Sequence, residues 1–165
     1  MINIVLVEPE IPQNAGNIVR TCAAINAKLF MVKPLGFIMD DKHFKRAGMD
    51  YLDFANVTVV DSIDEIWNAN PDAQFFYAST KSQKTHTEVT YNDNCFIVFG
   101  KESYGLSETI LKNNYDNCIR IPMHERARSL NLSNSVAIIA YEAMRQQNFD
   151  GLQNYGELTG RSEND

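Results

Sequence analysis

Three stretches of the chain hold residue types that can handle a charged or polar ligand. PQNAGNIVR (12–20) sets two amides, Asn14 and Asn17, around Gly16 and ends on Arg20. Either amide can cap a helix that begins here, and Gly16 lets the backbone approach another group closely. Arg20 falls one turn after Gly16, near the start of that helix. An arginine there opposes the macrodipole. That cost suggests a task, such as holding phosphate or a developing oxyanion. FGKESYGLSE (99–108) has Gly100 at the end of an apolar run and Gly105 five residues later. Such turns wrap ligands, and serve equally as plain turns. RARSLNLSNSVA (126–137) crowds Ser129, Asn131, Ser133, Asn134 and Ser135 at one helix start. One cap needs one such residue, so the surplus is available for other work.

Other chemistries find little support. No G-x-G-x-x-G follows the first strand, and neither a P-loop nor a G-x-S-x-G elbow occurs. His43, His86 and His124 lie far apart in sequence and read as surface residues, so no metal is expected. Cys22, Cys95 and Cys118 have neither zinc spacing nor a disulfide pattern, and read as buried free thiols of a cytoplasmic protein. Glu8 and Glu10 could form a carboxylate pair, but Pro9 and Pro12 favour a stiff, extended turn.

The elements that position these stretches alternate. Apolar runs at 2–7, 28–34, 57–62, 73–80, 95–100 and 118–123 read as strands. Helical patterns occupy 14–27, 40–48, 62–70, 107–114 and 134–147, with Ser62 and Glu65 forming a capping box at the third. Several strands are continuously apolar, as in a parallel sheet covered on both faces. The fold class is therefore α/β, a mostly parallel sheet flanked by helices. Ligands of such sheets bind beyond the carboxyl ends of the strands, where all three stretches lie. Residues 1–149 read as one domain, and the polar tail 150–165 as poorly ordered. In the last helix, Val136 to Ala140 are consecutively apolar, more than one core needs, so a second subunit is expected to cover part of it.

The chain has 165 residues and a net charge of −6. That argues against a protein that coats nucleic acid generally, but not against a local basic site. Lys42, Lys45 and Arg46 form one cluster, Lys81 and Lys84 a second, and Arg120, Arg126 and Arg128 a third. No run is long enough to span a bilayer, and MINIVLVEPE reads as a strand rather than a signal peptide.

Taken in order, N-x-G-N-x-x-R after the first strand, F-G-x-E-x-x-G-L after the fifth, and I-P-M with S-L-N-L-S-N after the sixth form a specific set. The chain resembles the SPOUT class of RNA methyltransferases from Asn3 to about Gln147. Within it, the small tRNA (cytidine/uridine-34) 2′-O-methyltransferases, the TrmL-like group, are most similar. The resemblance implies a C-terminal deep trefoil knot, a homodimer, and transfer of a methyl group from S-adenosylmethionine to a wobble ribose of tRNA. It places the cofactor at Ala78, Gly100, Glu102, Gly105, Leu106, Ile121, Met123, Ser129, Leu130 and Ser133. Arg20 would be catalytic, with Asn14, Ser129 and Asn131 placing groups around it. The anticodon stem-loop would meet Lys42, Lys45, Arg46, Arg126 and Arg128, and Tyr141 would contact the second subunit. The competing expectation is a knotted RNA-binding protein without transfer activity. A flavodoxin-like nucleotide-binding enzyme is a third.

Overall fold

The computed structural model describes residues 1–53 and 55–158. Among these the strands are β1 (Asn3–Val7), β2 (Lys28–Val32), β3 (Asn56–Val60), β4 (Phe75–Ala78), β5 (Phe96–Phe99) and β6 (Cys118–Ile119). The α-helices are α1 (Pro12–Ala24), α2 (Lys42–Gly48), α3 (Ile63–Ala69), α4 (Glu108–Asn113) and α5 (Leu132–Gln146). The sheet order is β3-β2-β1-β5-β4-β6, and every neighbouring pair is parallel. Every residue of β5 is buried, because helices cover both faces. One apolar layer packs Ile18 and Val19 of α1, Phe44 of α2, and Val136, Ile139 and Ala143 of α5. The opposite layer packs Ile63 and Ile66 of α3 and Leu111 of α4. Each of the buried Val, Ile, Leu and Phe side chains among these stabilises the fold by roughly 1.5–3 kcal/mol.

Helix α1 begins earlier than the 14–27 pattern indicates. Pro12 fills its first turn, where a missing N–H costs nothing. Its N-cap is Ile11, whose side chain makes no capping bond, so neither Asn14 nor Asn17 is the cap. Arg20 is then two turns into the helix, beyond the reach of the macrodipole cost. Gly16 does permit a close approach, but to a helix of this chain. A Cβ there would lie 2.6 Å from Cβ of Ala47, where α2 crosses α1. At α3 the capping box forms: Glu65 Oε1 accepts from the amide of Ser62 at 3.1 Å.

Helix α5 buries Val136, Ile139, Ala140, Ala143 and Met144, and leaves Ile138 39% and Tyr141 45% exposed. So only part of the apolar surface read from the sequence is covered within one chain. Beyond residue 149, Leu152 is partly buried and packs on the core, with its amide bonded to the Phe149 carbonyl. Residues 159–165 of the expected tail lie outside the described residues. Cys22, Cys95 and Cys118 are buried and free, and burial pushes the Cys22 and Cys95 thiols up to about 12. Among the described residues no helix is long and apolar enough to cross a membrane.

Candidate active site

The strand order reverses between β1 and β5, and the loops after β1, β5, β4 and β6 converge beyond that point. They enclose a cavity of about 470 Å³. This is where an open parallel sheet takes its ligands. Asn14 comes from the first turn of α1, Gly100, Glu102, Gly105 and Leu106 from the loop after β5, and Ala78 from the end of β4. Ile121, Met123, Ser129, Leu130 and Asn131 come from the segment between β6 and α5. Nine of the ten residues expected to hold the cofactor thus share one cavity. The tenth, Ser133, lies in a second depression between α1 and α5, with Arg20, Asn17 and Tyr141.

Glu102 ties the walls together. Its carboxylate accepts from the amides of Glu10 at 2.8 Å and Ile11 at 3.1 Å. It also accepts from Asn14 Nδ2 at 3.1 Å. A carboxylate from a loop some ninety residues away therefore satisfies backbone donors at the start of α1, where negative charge is favoured. Asn14 is buried, and its Oδ1 accepts from Asn131 Nδ2 at 3.0 Å. Asn131 is the N-cap of α5, accepting from the amide of Ser133 at 2.9 Å and from Ser133 Oγ at 2.6 Å. Ser135 Oγ donates to the Asn131 carbonyl at 3.1 Å. Much of the surplus polarity in SLNLSNS thus reinforces the cap, while Ser129, Asn131 and Ser135 line the cavity.

The turn after β5 is held from a second side. Glu10 Oε1 accepts from Ser103 Oγ and Glu10 Oε2 from the Ser103 amide, each at 2.9 Å. Those two bonds hold the Glu10 carboxyl below its ordinary value. Lys101 Nζ pairs with Glu8 Oε2 at 2.8 Å, and Glu8 sits in the left-handed region with φ 52°. The expected stiff turn around Glu8 and Glu10 is therefore a clasp, not a catalytic pair of carboxylates. Gly100 fits the turn because a Cβ there would overlap the backbone of Gly105 and Leu106. The space it preserves is filled by this chain, not reserved for a ligand.

Arg20 is exposed and lies apart from the cavity. Its guanidinium stands 5.2 Å from the centroid of the Tyr51 ring and donates to Met49 Sδ at 3.4 Å. Lys42, Lys45 and Arg46 are exposed on α2, with Lys45 paired to Asp40. Arg126 and Arg128 are exposed on the β6–α5 segment. Ser79, Thr80 and Lys81, just after β4, and Tyr104 also line the cavity. Sequence reasoning placed Lys81 in a basic cluster and Tyr104 in a marked stretch, but assigned none of the four to the site. Among the described residues no group of three or more His, Cys, Asp or Glu side chains could hold a metal ion.

A parallel sheet with a cavity at its switch point defines a class, and comparison with known proteins narrows it. The SpoU rRNA Methylase family pattern matches residues 1–141, and the chain belongs to that family. It is 49% identical over 155 residues to a Bacillus subtilis protein, covering 92% of this chain and 97% of the other. It is 43% identical over 152 residues to a Saccharophagus degradans protein, covering 92% and 99%. The latter is named tRNA (cytidine(34)-2'-O)-methyltransferase; the former bears the same name with the qualifier of a provisional assignment. A solved structure described by the words "Structural insights into the 2-OH methylation of C/U34 on tRNA" superposes with a TM-score of 0.86 at 38% identity, over 90% of this chain and 97% of that one.

Proposed function

We propose that this protein transfers a methyl group from S-adenosylmethionine to the ribose 2′-OH of the tRNA wobble nucleotide, C34 or a modified U34. The observation that supports it most is the convergence of Asn14, Glu102, Ser129 and Asn131 on one cavity at the sheet's switch point. Family membership and the names of the relatives agree with it. The cavity suits the cofactor: Leu106, Ile121 and Leu130 offer apolar surface, and Ser129 and the neighbouring backbone offer polar groups. When bound, S-adenosylmethionine supplies the electrophilic methyl of its sulfonium. The Glu102–Asn14–Asn131 chain keeps three loops in register around it. A guanidinium is a planar fork of donors with no acceptor, so Arg20 orients the 2′-OH and stabilises the developing alkoxide rather than acting as a base.

In one chain Arg20 and the cavity are separate, so two copies must meet to complete the site. Tyr141 lines the depression that contains Arg20 and is partly exposed, as is Ile138 of the same helix, which supports a homodimer packed through α1 and α5. Tyr141→Asp should place a charge in that contact at a cost of several kcal/mol. Sedimentation should show a dimer for the wild type and a monomer for the variant; a monomeric wild type would refute the pairing. A C-terminal trefoil knot is part of the same reading. The segment 84–91 bonds Arg120 through the Lys84 carbonyl and the His86 amide, and Gln146 of α5 through the Val89 carbonyl and the Tyr91 amide, which supports a crossing there.

RNA would meet Lys42, Lys45 and Arg46 from one side and Arg126 and Arg128 from the other, in a cytoplasmic protein that needs no metal. The Glu10 clasp gives cofactor binding a pH dependence. A carboxyl held below its ordinary 4.5 stabilises the turn above that value and ceases to do so as the pH falls below it. Affinity for S-adenosylhomocysteine should therefore weaken below about 4.5, and Glu10→Gln should flatten that limb of the profile. Nucleoside mass spectrometry of bulk tRNA incubated with the protein and S-adenosylmethionine tests the whole reading. A 2′-O-methylated wobble nucleoside is expected, and a base-methylated product would overturn it.

A further inference from the structure

The turn 101–105 at the cavity mouth spends most of its side chains on holding itself in place. Lys101 pairs with Glu8, Glu102 caps α1, and Ser103 bonds Glu10 twice. Gly105 closes the turn at φ 71°, with its amide bonded to the Lys101 carbonyl at 2.8 Å. The remaining residue is Tyr104. Its side chain is 86% exposed, and no hydrogen bond or ring contact joins it to another described residue. A large flat ring held out to water on a clasped turn, at the rim of a cavity, does nothing for the fold. It lies outside the α1–α5 depression. The cavity already has buried apolar surface from Leu106, which is 4% exposed.

Resting on the reading that this cavity serves an RNA nucleotide, we propose that the Tyr104 ring is a stacking platform for an unpaired base of the RNA loop as its ribose enters. Any base has a π face, so such a platform grips a loop without reading its sequence. Recognition of RNA by proteins falls mainly on splayed, unpaired bases of this kind. The clasp gives the ring a fixed height above the cavity, so the stacked base sets the depth to which the neighbouring ribose is inserted. Arg120 also lines the cavity and provides positive charge near the phosphates, while Lys81, likewise on the cavity wall, is paired with Glu108.

The test measures binding of an anticodon stem-loop to the full chain, with S-adenosylhomocysteine present, for the wild type and for Tyr104→Phe, Tyr104→Leu and Tyr104→Ala. Phe keeps the flat ring and should keep the affinity. Leu and Ala should each lose roughly 5- to 150-fold, with KM rising in step, because a stacked base is lost. The affinity for S-adenosylhomocysteine alone should not move. Leu binding as well as Phe would show simple apolar contact and overturn the stacking. So would a parallel loss of S-adenosylhomocysteine affinity, which would make Tyr104 a cover for the cofactor. If the wild type binds the stem-loop through Tyr104 but transfers no methyl group, the stacking stands and the proposed reaction falls. If Tyr104→Ala binds and methylates like the wild type, the stacking falls and the reaction stands.

Discussion

Gly100→Ala should abolish detectable binding of S-adenosylhomocysteine. The added Cβ would overlap the backbone of Gly105 and Leu106, and backbone cannot rotate away as a flexible side chain can. The turn must move instead. It carries Glu102, which caps α1 and bonds Asn14, and Ser103, which bonds Glu10. Displacing it therefore dismantles two walls of the cavity together. Overpacking of this kind costs about 1–3 kcal/mol in stability. Gly105→Ala is the control. Nothing lies within 4 Å of a Cβ there, so its penalty is limited to the left-handed φ of 71°. That penalty is roughly 1–2 kcal/mol. Calorimetric titration beside thermal unfolding should show Gly100→Ala folded, less stable and unable to bind, with Gly105→Ala only weakened. Wild-type affinity in Gly100→Ala would contradict the close packing described here.

Arg20→Ala should give the opposite dissociation. The side chain is exposed and outside the cavity, so cofactor affinity should remain. Losing its contact with the Tyr51 ring costs about 0.5–1 kcal/mol at such a site, which the fold can bear. Methyl transfer, however, should slow by roughly 10²-fold or more, as when a donor to a developing oxyanion is removed. Arg20→Lys should also be impaired, since an ammonium lacks the planar fork of the guanidinium. Single-turnover transfer measured beside S-adenosylhomocysteine binding separates the two steps. Full activity in Arg20→Ala would remove Arg20 from the mechanism.

The strands were legible because a parallel sheet covered on both faces writes itself as unbroken apolar runs, as INIVLV and CFIVFG show. The last helix was legible for a similar reason, since Val136 to Ala140 exceed the needs of one core. The start of α1 was not. The amides of its N-cap and of the residue before it are bonded by Glu102, and no local rule connects residues 10 and 11 to a carboxylate in another loop. Pro12 was the available signal, and it was read as a turn because Pro9 and two glutamates surround it. Misplacing that start put Arg20 near the macrodipole and beside the cavity, when it lies two turns into the helix. At Gly100 the sequence leaves a ligand-wrapping turn and a plain turn open, because it shows that a glycine is needed but not whether ligand or chain fills the space beside it; the backbone of Gly105 and Leu106 fills it. Ser133 drifted from the cavity set because the polar knot turns a corner at Asn131, and successive residues beyond a cap face different sides of the helix. Tyr104 gave no sign at all. A lone aromatic in a turn acquires meaning only when its neighbours are seen to be spent on other bonds.

The central claim is that the acceptor atom is a ribose 2′-oxygen at the wobble position. Two anticodon stem-loops, identical except for a 2′-deoxy residue at position 34, test it directly with labelled S-adenosylmethionine. The ribose form should take up one methyl group and the 2′-deoxy form none, although both should bind. Methylation of the 2′-deoxy form would place the acceptor on the base or on another nucleotide, and would contradict the account.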